Sequence, residues 1–290
     1  MHKIYTRKKF WLFVMPMLLL YSVFIVYPLA AAFFLSFTDY RGIGGFNWNS
    51  FGNYLRLAKD PYFFLALKNS LVCAAAMLVL VLPLSFLLAL WLNKENRRNA
   101  VYKVVIFAAY VIPGVLTALI WSFILKPNGG LINELLKLIG VKGPLWINSP
   151  NGNLTMISVS IICAWSNIGF YMLLWQAGLK SISGEVLEAA ALDGCTGLSK
   201  IFRIILPMLR ENMAVICIFI LTSALKIYDT VYILTSGGPM HASETIVSYL
   251  YSMTFDSMMY GYGMAIAVVE FVIAAAISVL SLLLSKKNAD

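Results

Sequence analysis

EAAALDGCTGLSKIFRIILP, residues Glu188 to Pro207, is a polar and small-residue stretch set between long apolar runs. It cannot lie in hydrocarbon, because Glu188, Asp193, Lys200 and Arg203 would each be costly there. It is not a linker either. Glu188 to Leu192 is alanine-rich, helix-forming sequence. Gly194 and Gly197 break that helix, and Thr196 stands where it would cap the next. Leu198 to Ile205 reads as a second short helix, with Leu198, Ile201, Phe202 and Ile205 on one face and Lys200 and Arg203 away from it. Pro207 follows, where a helix restarts with proline in its first turn. The pattern predicts a helix–turn–helix on a membrane surface, with alanines that let another protein approach closely.

The surroundings of this stretch are strongly apolar. Of 290 residues, 61% are hydrophobic and 12% charged, and the mean hydropathy is +0.82. These values exclude an ordinary soluble domain and indicate an all-α, polytopic membrane protein. Spans are expected at about 10–37, 70–92, 104–125, 154–179, 208–234 and 261–284, with the polar loop at 180–207. The first run has a small-residue pattern at Ala30 and Ala32, as a cleaved leader would, but it is too long for one and reads as a span. Pro113-Gly114 should kink the third span, and Ser236-Gly237-Gly238-Pro239 should end the fifth. Residues 126–153 form a Gly/Pro/Asn-rich loop with a short amphipathic segment, Leu131 to Ile139. Asp60 before Pro61, and Asn69, are candidate helix starts.

Charge orients the chain. The net charge of +9 would suit nucleic acid if it lay on one soluble face, but the basic residues sit between apolar runs. Six spans place both termini on one side, and that side carries 14 of the 22 Lys and Arg residues. The bias puts the termini and the 180–207 loop in the cytoplasm. The four cysteines form no CxxC pair and read as small packed side chains. No HExxH, GxSxG or Walker A sequence occurs, so no catalytic or metal-ligating set is expected.

A few intramembrane polar residues are candidates for a solute path. Lys226 and Asp229 are three apart in the fifth span, so on one continuous helix they would share a face and pair. The plain alternative is a structural ion pair with Lys226 reaching the interface. Trp165, Ser166, Asn167 and Tyr171 give the fourth span a polar-aromatic face, which serves either as helix–helix glue or as solute contact. Thr222 and Ser223 are weaker candidates, because such hydroxyls usually bond their own backbone. Glu270 is an isolated acid near the middle of the sixth span, and its role stays open.

The loop also carries a family resemblance. Glu188-Ala189-Ala190, Gly194, Ile204 and Leu206-Pro207 resemble, without a gap, the signature loop of membrane subunits of binding-protein-dependent ABC importers. Tyr27-Pro28, Phe51-Gly52-Asn53-Tyr54, Asp60-Pro61 and Asn69-Ser70 resemble the carbohydrate branch, of maltose, lactose and glycerol-phosphate type. So do Tyr228-Asp229 and the run Leu234-Thr235-Ser236-Gly237-Gly238-Pro239. The resemblance implies the six-span permease fold of type I importers in a bacterial or archaeal cytoplasmic membrane. It implies that Glu188, Ala189, Ala190, Asp193, Gly194, Ile204, Leu206 and Pro207 dock on an ATPase. It further implies a second, similar permease, an extracytoplasmic solute-binding protein and a sugar substrate. The solute path would draw on Trp165, Asn167, Tyr171, Ser223, Lys226, Tyr228, Asp229 and Glu270. ATP and magnesium would be held by the partner ATPase, with no cofactor in this chain. The alternatives are a permease for a non-sugar solute, a gradient-driven transporter and an intramembrane enzyme. The last two lack, respectively, ion-relay charges in several spans and a nucleophile–base or metal set.

Overall fold

A computed structural model describes residues 7–147, 149–150 and 152–287, so Lys3 and the rest of the first six residues of the basic start lie outside the described residues. The elements run as follows: α1 (Arg7–Tyr21), a π-helical turn (Ser22–Val26), α2 (Tyr27–Leu35), α3 (Gly52–Leu57), α4 (Pro61–Trp91), α5 (Arg97–Val111), α6 (Gly114–Ile124), α7 (Leu131–Leu138) and α8 (Asn153–Ser181). Then come α9 (Gly184–Leu192), α10 (Gly197–Lys200), a π turn (Ile201–Ile205), α11 (Leu206–Met208), α12 (Arg210–Leu225), α13 (Asp229–Thr235), α14 (Ile246–Tyr251), a π turn (Ser252–Asp256) and α15 (Tyr260–Lys287). Among the described residues the only strand-like pairing is one isolated bridge, Thr38 with Trp48. Among the described residues five helical runs are long and apolar enough to cross a membrane, and there are six if the bent pair α5 and α6 is one span.

The helix of the second span is longer than the expected 70–92. It starts at Pro61, the first of the two candidate starts. Its 31 residues reach about 46 Å, more than the ~30 Å of hydrocarbon, so its first turns with Lys68 project beyond the lipid. Asn69 therefore lies inside α4 and starts no helix. Its buried side chain instead donates to the Ala242 carbonyl at 3.0 Å and the Glu244 carbonyl at 2.8 Å.

The third span breaks hard, with 95° between α5 and α6. The sequence explains the place. Proline pushes its predecessor out of the helical region, and Ile112 is extended at φ −67°, ψ 126°. Pro113 is extended too, at φ −53°, ψ 138°, and Gly114 restarts the helix. Proline alone is not enough, since α4 runs on through Pro83.

The chain divides into two compact units. One holds residues 1–60 and 250–271, the other 61–249 and 272–290. In the first, Asn53 donates to the carbonyls of Ser36 and Thr38, both at 2.8 Å, and pins the loop after α2. Phe37 stacks on Trp48, and the Arg56 guanidinium lies 4.3 Å above the Tyr262 ring. Tyr262 also donates to the Asp60 carboxylate.

The second unit carries the main core. It is built on α4 against α8, with α12, α5 and α13 joining them. The α4 face toward this core is largely small: Ala66, Ser70, Cys73, Ala74, Ser85 and Ala89 are buried. Small faces suit membrane helices, whose association depends on close backbone approach because lipid is as apolar as leucine. Larger side chains, Phe86 against Trp175 (4.8 Å), fill the gaps, while Val79, Leu87, Phe123 and Val215 stay exposed as a lipid face would. Gly169 on α8 shows the same rule: a Cβ there would sit 2.6 Å from the Ile106 carbonyl oxygen and 2.7 Å from the Phe107 Cα of α5.

Both partners at Gly169 are backbone and cannot move aside. Gly169→Val should therefore destabilise the detergent-solubilised protein by about 1–3 kcal/mol, with Gly169→Ala intermediate. A thermal-unfolding series would read this as a graded fall in midpoint; equal midpoints for all three would contradict the packing.

Candidate functional site

Hydrogen bonds sort the loops of the larger unit to its two ends. At one end Lys180 Nζ meets Glu95 Oε1 at 2.6 Å, and Gln176 reaches the Leu92 carbonyl at 3.4 Å. The 93–96 turn and the start of the 180–207 loop therefore share an end. The ammonium of Lys180 holds the Glu95 carboxyl below the ordinary glutamate range. A depressed folded value means that the bridge contributes at neutral pH and is lost as pH falls below about 4. Both groups are largely exposed, so the bridge is a marker of proximity and a small contributor to stability. At the other end, Asn69 and Ser70 hold the 242–246 segment, and Ser158 donates to the Trp146 carbonyl at 3.0 Å.

The 180–207 loop is the helix–turn–helix that its sequence predicts, with two changes. α9 ends in a Schellman turn: Cys195 N–H bonds the Ala190 carbonyl (2.8 Å) and Gly194 N–H the Ala191 carbonyl (3.1 Å), with Gly194 at φ +76°. Lys200 Nζ reaches back to the Leu187 carbonyl at 3.2 Å and clips the second helix to the first. The first change is that Thr196 occupies the cap position in extended geometry, but its side chain makes no cap hydrogen bond. The second is that residues 201–205 form a π turn. The wider turn splits the expected apolar face: Ile205 is buried and Ile201 half-buried, whereas Leu198 and Phe202 are 72% and 65% exposed.

The signature residues fall into two groups. Glu188, Ala189, Asp193, Gly194 and Pro207 are exposed. Ala190 is buried, and Ile204 and Leu206 are half-buried supports. Leu192, 90% exposed, stands beside Asp193. Nothing lies within 4 Å of a Cβ built on Gly194. The element thus presents an open apolar-and-acidic face with no occupant among the described residues.

The fifth span also breaks. α12 stops at Leu225, Lys226 takes the non-helical cap, and Tyr228 at φ −129°, ψ −62° precedes α13. This corrects the expected pairing of Lys226 with Asp229: the interruption removes the helical face that would bring them together, and both side chains are exposed with no ion pair between them. Asp229 goes instead to the other break. A Cβ on Gly114 would lie 2.9 Å from Asp229 Oδ2, so the carboxylate sits against the first residue of α6. Tyr228 stacks on Tyr232 at 5.2 Å.

The fourth-span candidates separate. Tyr171 is buried, and its hydroxyl meets Ser223 Oγ at 3.1 Å, a bond between α8 and α12. Asn167, half-buried, donates to its own helix at the Cys163 carbonyl (2.8 Å). Trp165 is 42% exposed and meets Trp121 edge-to-face at 5.6 Å. Glu270 belongs to the smaller unit, half-buried on α15. The juxtaposition of the two breaks was missed in the sequence, as was Trp121. The available signal was that Pro113-Gly114 and Lys226 to Asp229 both interrupt apolar runs, and irregular backbone at membrane depth persists only where protein covers it or it lines a cavity.

The family model for the inner-membrane component of binding-protein-dependent transport systems matches residues 81–287. The chain belongs to this family. It is a multi-pass inner-membrane permease component. It is 32% identical to a probable ABC transporter permease protein, YurN, of Bacillus subtilis, over 94% of each chain. It is 30% identical to the lactose transport system permease protein LacF of Rhizobium radiobacter, over 94% of this chain and 91% of that one. A crystal structure of a bacterial ABC transporter involved in the import of alginate contains a chain of the same fold, with TM-score 0.84, 22% identity and 97% and 96% coverage. The all-helical permease architecture is thereby shown.

The geometry separates a helix-joining pair, Tyr171 and Ser223, from Trp165, which is exposed on α8. Tyr171→Phe should cost about 0.5–1.5 kcal/mol of stability and leave the transport KM unchanged. Trp165→Ala should shift KM and leave the melting midpoint nearly unchanged. The two measurements on both variants check this, and the opposite assignment would reverse the roles of these residues.

Proposed function

We propose that this chain is the membrane-spanning permease subunit of an ATP-driven sugar importer, coupled to its ATPase through residues 184–208. The observation that carries the reading is the α9–α11 element. It stands at the end of the helix bundle, clipped shut by Lys200, and exposes Leu192, Leu198 and Phe202 beside Glu188 and Asp193. Large apolar side chains that open outside the lipid-facing spans mark a protein interface. The positive-inside bias puts that end, with the 93–96 turn and both termini, in the cytoplasm, where ATP-binding subunits are. Glu188 and the alanine face dock on the ATPase, Ile204 and Leu206 brace the element, and closure of the ATPase pair moves it. A two-state rearrangement biased by ATP is the physical content of that coupling.

On the solute side, the two helix breaks supply the polar lining. Asp229 accepts hydroxyl hydrogen bonds, Lys226 donates them, and the rings of Tyr228 and Trp165 stack on apolar sugar faces. Sugar as the substrate class is supported by these side chains, by the Thr235-to-Pro239 segment and by the lactose permease among the relatives. A second permease completes the path, an extracytoplasmic binding protein delivers the solute, and ATP with magnesium is bound by the ATPase subunits.

Co-purification tests the coupling. The tagged chain, gently solubilised, should bring along an ATPase and a second permease. Glu188→Lys and Gly194→Trp should lose the ATPase and keep the permease. Gly194→Asn, which tolerates the left-handed backbone, should keep both. Recovery of the ATPase with Gly194→Trp at wild-type yield would contradict the docking.

A further inference from the structure

The chain that follows the second break, from Thr235 to Ser248, folds into a largely buried polar knot. Ser243, Glu244, Thr245 and Ser248 are each at most 6% exposed, as are Asn69 and Ser70 of α4. Thr235 Oγ1 accepts from Ser243 Oγ at 2.8 Å, and Ser243 Oγ also lies 2.6 Å from the Gly238 carbonyl. Asn69 binds the carbonyls of Ala242 and Glu244, and the Ile246 N–H donates to Ser70 Oγ at 3.0 Å. The knot is thus anchored to α4, one of the two helices on which the core of its unit is built.

One bond leaves the knot. Thr245 Oγ1 donates to the Ile227 carbonyl at 2.6 Å, and both residues are buried. Ile227 lies between the end of α12 and the start of α13, so its carbonyl has no helical partner to accept from. The Thr245 backbone is itself fixed, because its N–H donates to Ser248 Oγ at 2.8 Å. A buried carbonyl at a membrane-depth break must be satisfied by something other than its own helix. Here a single hydroxyl satisfies it, and that hydroxyl is tied through Ile246 N–H to α4.

We infer that Thr245 is a positioning residue for transport: through the Ile227 carbonyl it holds the 226–228 break in the shape that presents Lys226 and Asp229 to the solute. Thr245 touches no solute itself. The inference rests on the reading of that break as a solute contact, and it adds which residue sets the geometry and from where. The Thr235-to-Ser248 region then acts as a strut between α4 and the broken span, in place of a binding loop.

The test uses the whole importer in membranes, with Thr245→Val, Thr245→Ser and Ser243→Ala compared. Valine keeps the shape and removes the donor, serine restores it, and Ser243→Ala removes a knot hydroxyl that does not touch the break. Amide hydrogen exchange of the 224–232 peptide should rise roughly tenfold in Thr245→Val, the equivalent of one lost hydrogen bond, and return in Thr245→Ser. Ser243→Ala should speed exchange only in 235–243. Uptake is read with the member of a labelled panel (maltose, trehalose, lactose, diacetylchitobiose) that the wild-type importer carries. KM should rise in Thr245→Val with maximal rate per chain retained, and recover in Thr245→Ser. Unchanged exchange at 224–232, or a loss of uptake that only tracks the amount of protein, would overturn the inference. Asp229→Asn separates the two levels. If it leaves KM unchanged, the break is no solute contact; if it shifts KM while Thr245→Val does not, only the positioning role fails.

Discussion

A peptide group in hydrocarbon has no water to turn to, and this constraint shapes the chain at every level. It forces the apolar runs into helices, where each carbonyl meets an amide four residues on. It lets a helix break only where other protein groups take over the freed backbone. Among the described residues the larger unit has one hard bend in a span, at Ile112-Pro113, and a local interruption of the fifth span at Lys226 to Tyr228. They are not scattered: Asp229 of one lies against Gly114 of the other. Proline chemistry places the first, and the Thr245 hydroxyl supports the second. The two interruptions share one locality of the larger unit, and that locality carries the exposed charges Lys226 and Asp229.

The same constraint explains why the 180–207 loop is so compact. A loop between two spans must leave the lipid quickly, and its polar residues need partners or water. α9 closes on a Schellman turn at Gly194, and Lys200 satisfies the Leu187 carbonyl, while Ile182, Ile205 and Leu187 pack the loop onto the core of the bundle. What remains unsatisfied is apolar, namely Leu192, Leu198 and Phe202. A rigid element with an apolar face at the bundle end is suited to carry a push from a soluble partner into the helices that flank it, α8 and α12. The two ends of the mechanism are joined by covalent continuity, since α12 leads from this loop directly to the break at Lys226.

Much of this was legible in the sequence, and what was not has physical reasons. Span number and the loop's helix–turn–helix followed from hydropathy, glycine placement and charge, because each is a local property. The long α4 had two candidate starts, Pro61 and Asn69, and hydropathy could not choose between them, because Pro61 to Leu67 is itself apolar and only Lys68 interrupts the run. The Lys226–Asp229 pairing failed because spacing arguments assume a continuous helix, and nothing between them announces a break: Ile227 and Tyr228 are ordinary span residues. The interruption is met by a tertiary bond, from Thr245 eighteen positions on. The π turn at 201–205 was likewise invisible; within it Phe202 is exposed while Ile205 stays inside. Tyr171 and Ser223 could be named as candidates, but only the contact between helices decides that they join α8 to α12.

An ATPase docked on residues 184–208 would make solute movement through this chain depend on ATP hydrolysis. The test is uptake of labelled sugars into right-side-out vesicles, with ATP loaded inside and the binding protein outside. Uptake should require internal ATP and the binding protein, persist when a protonophore collapses the ion gradients, and disappear with Glu188→Lys. Uptake by vesicles that hold this chain alone, driven by an ion gradient without ATP, would contradict it.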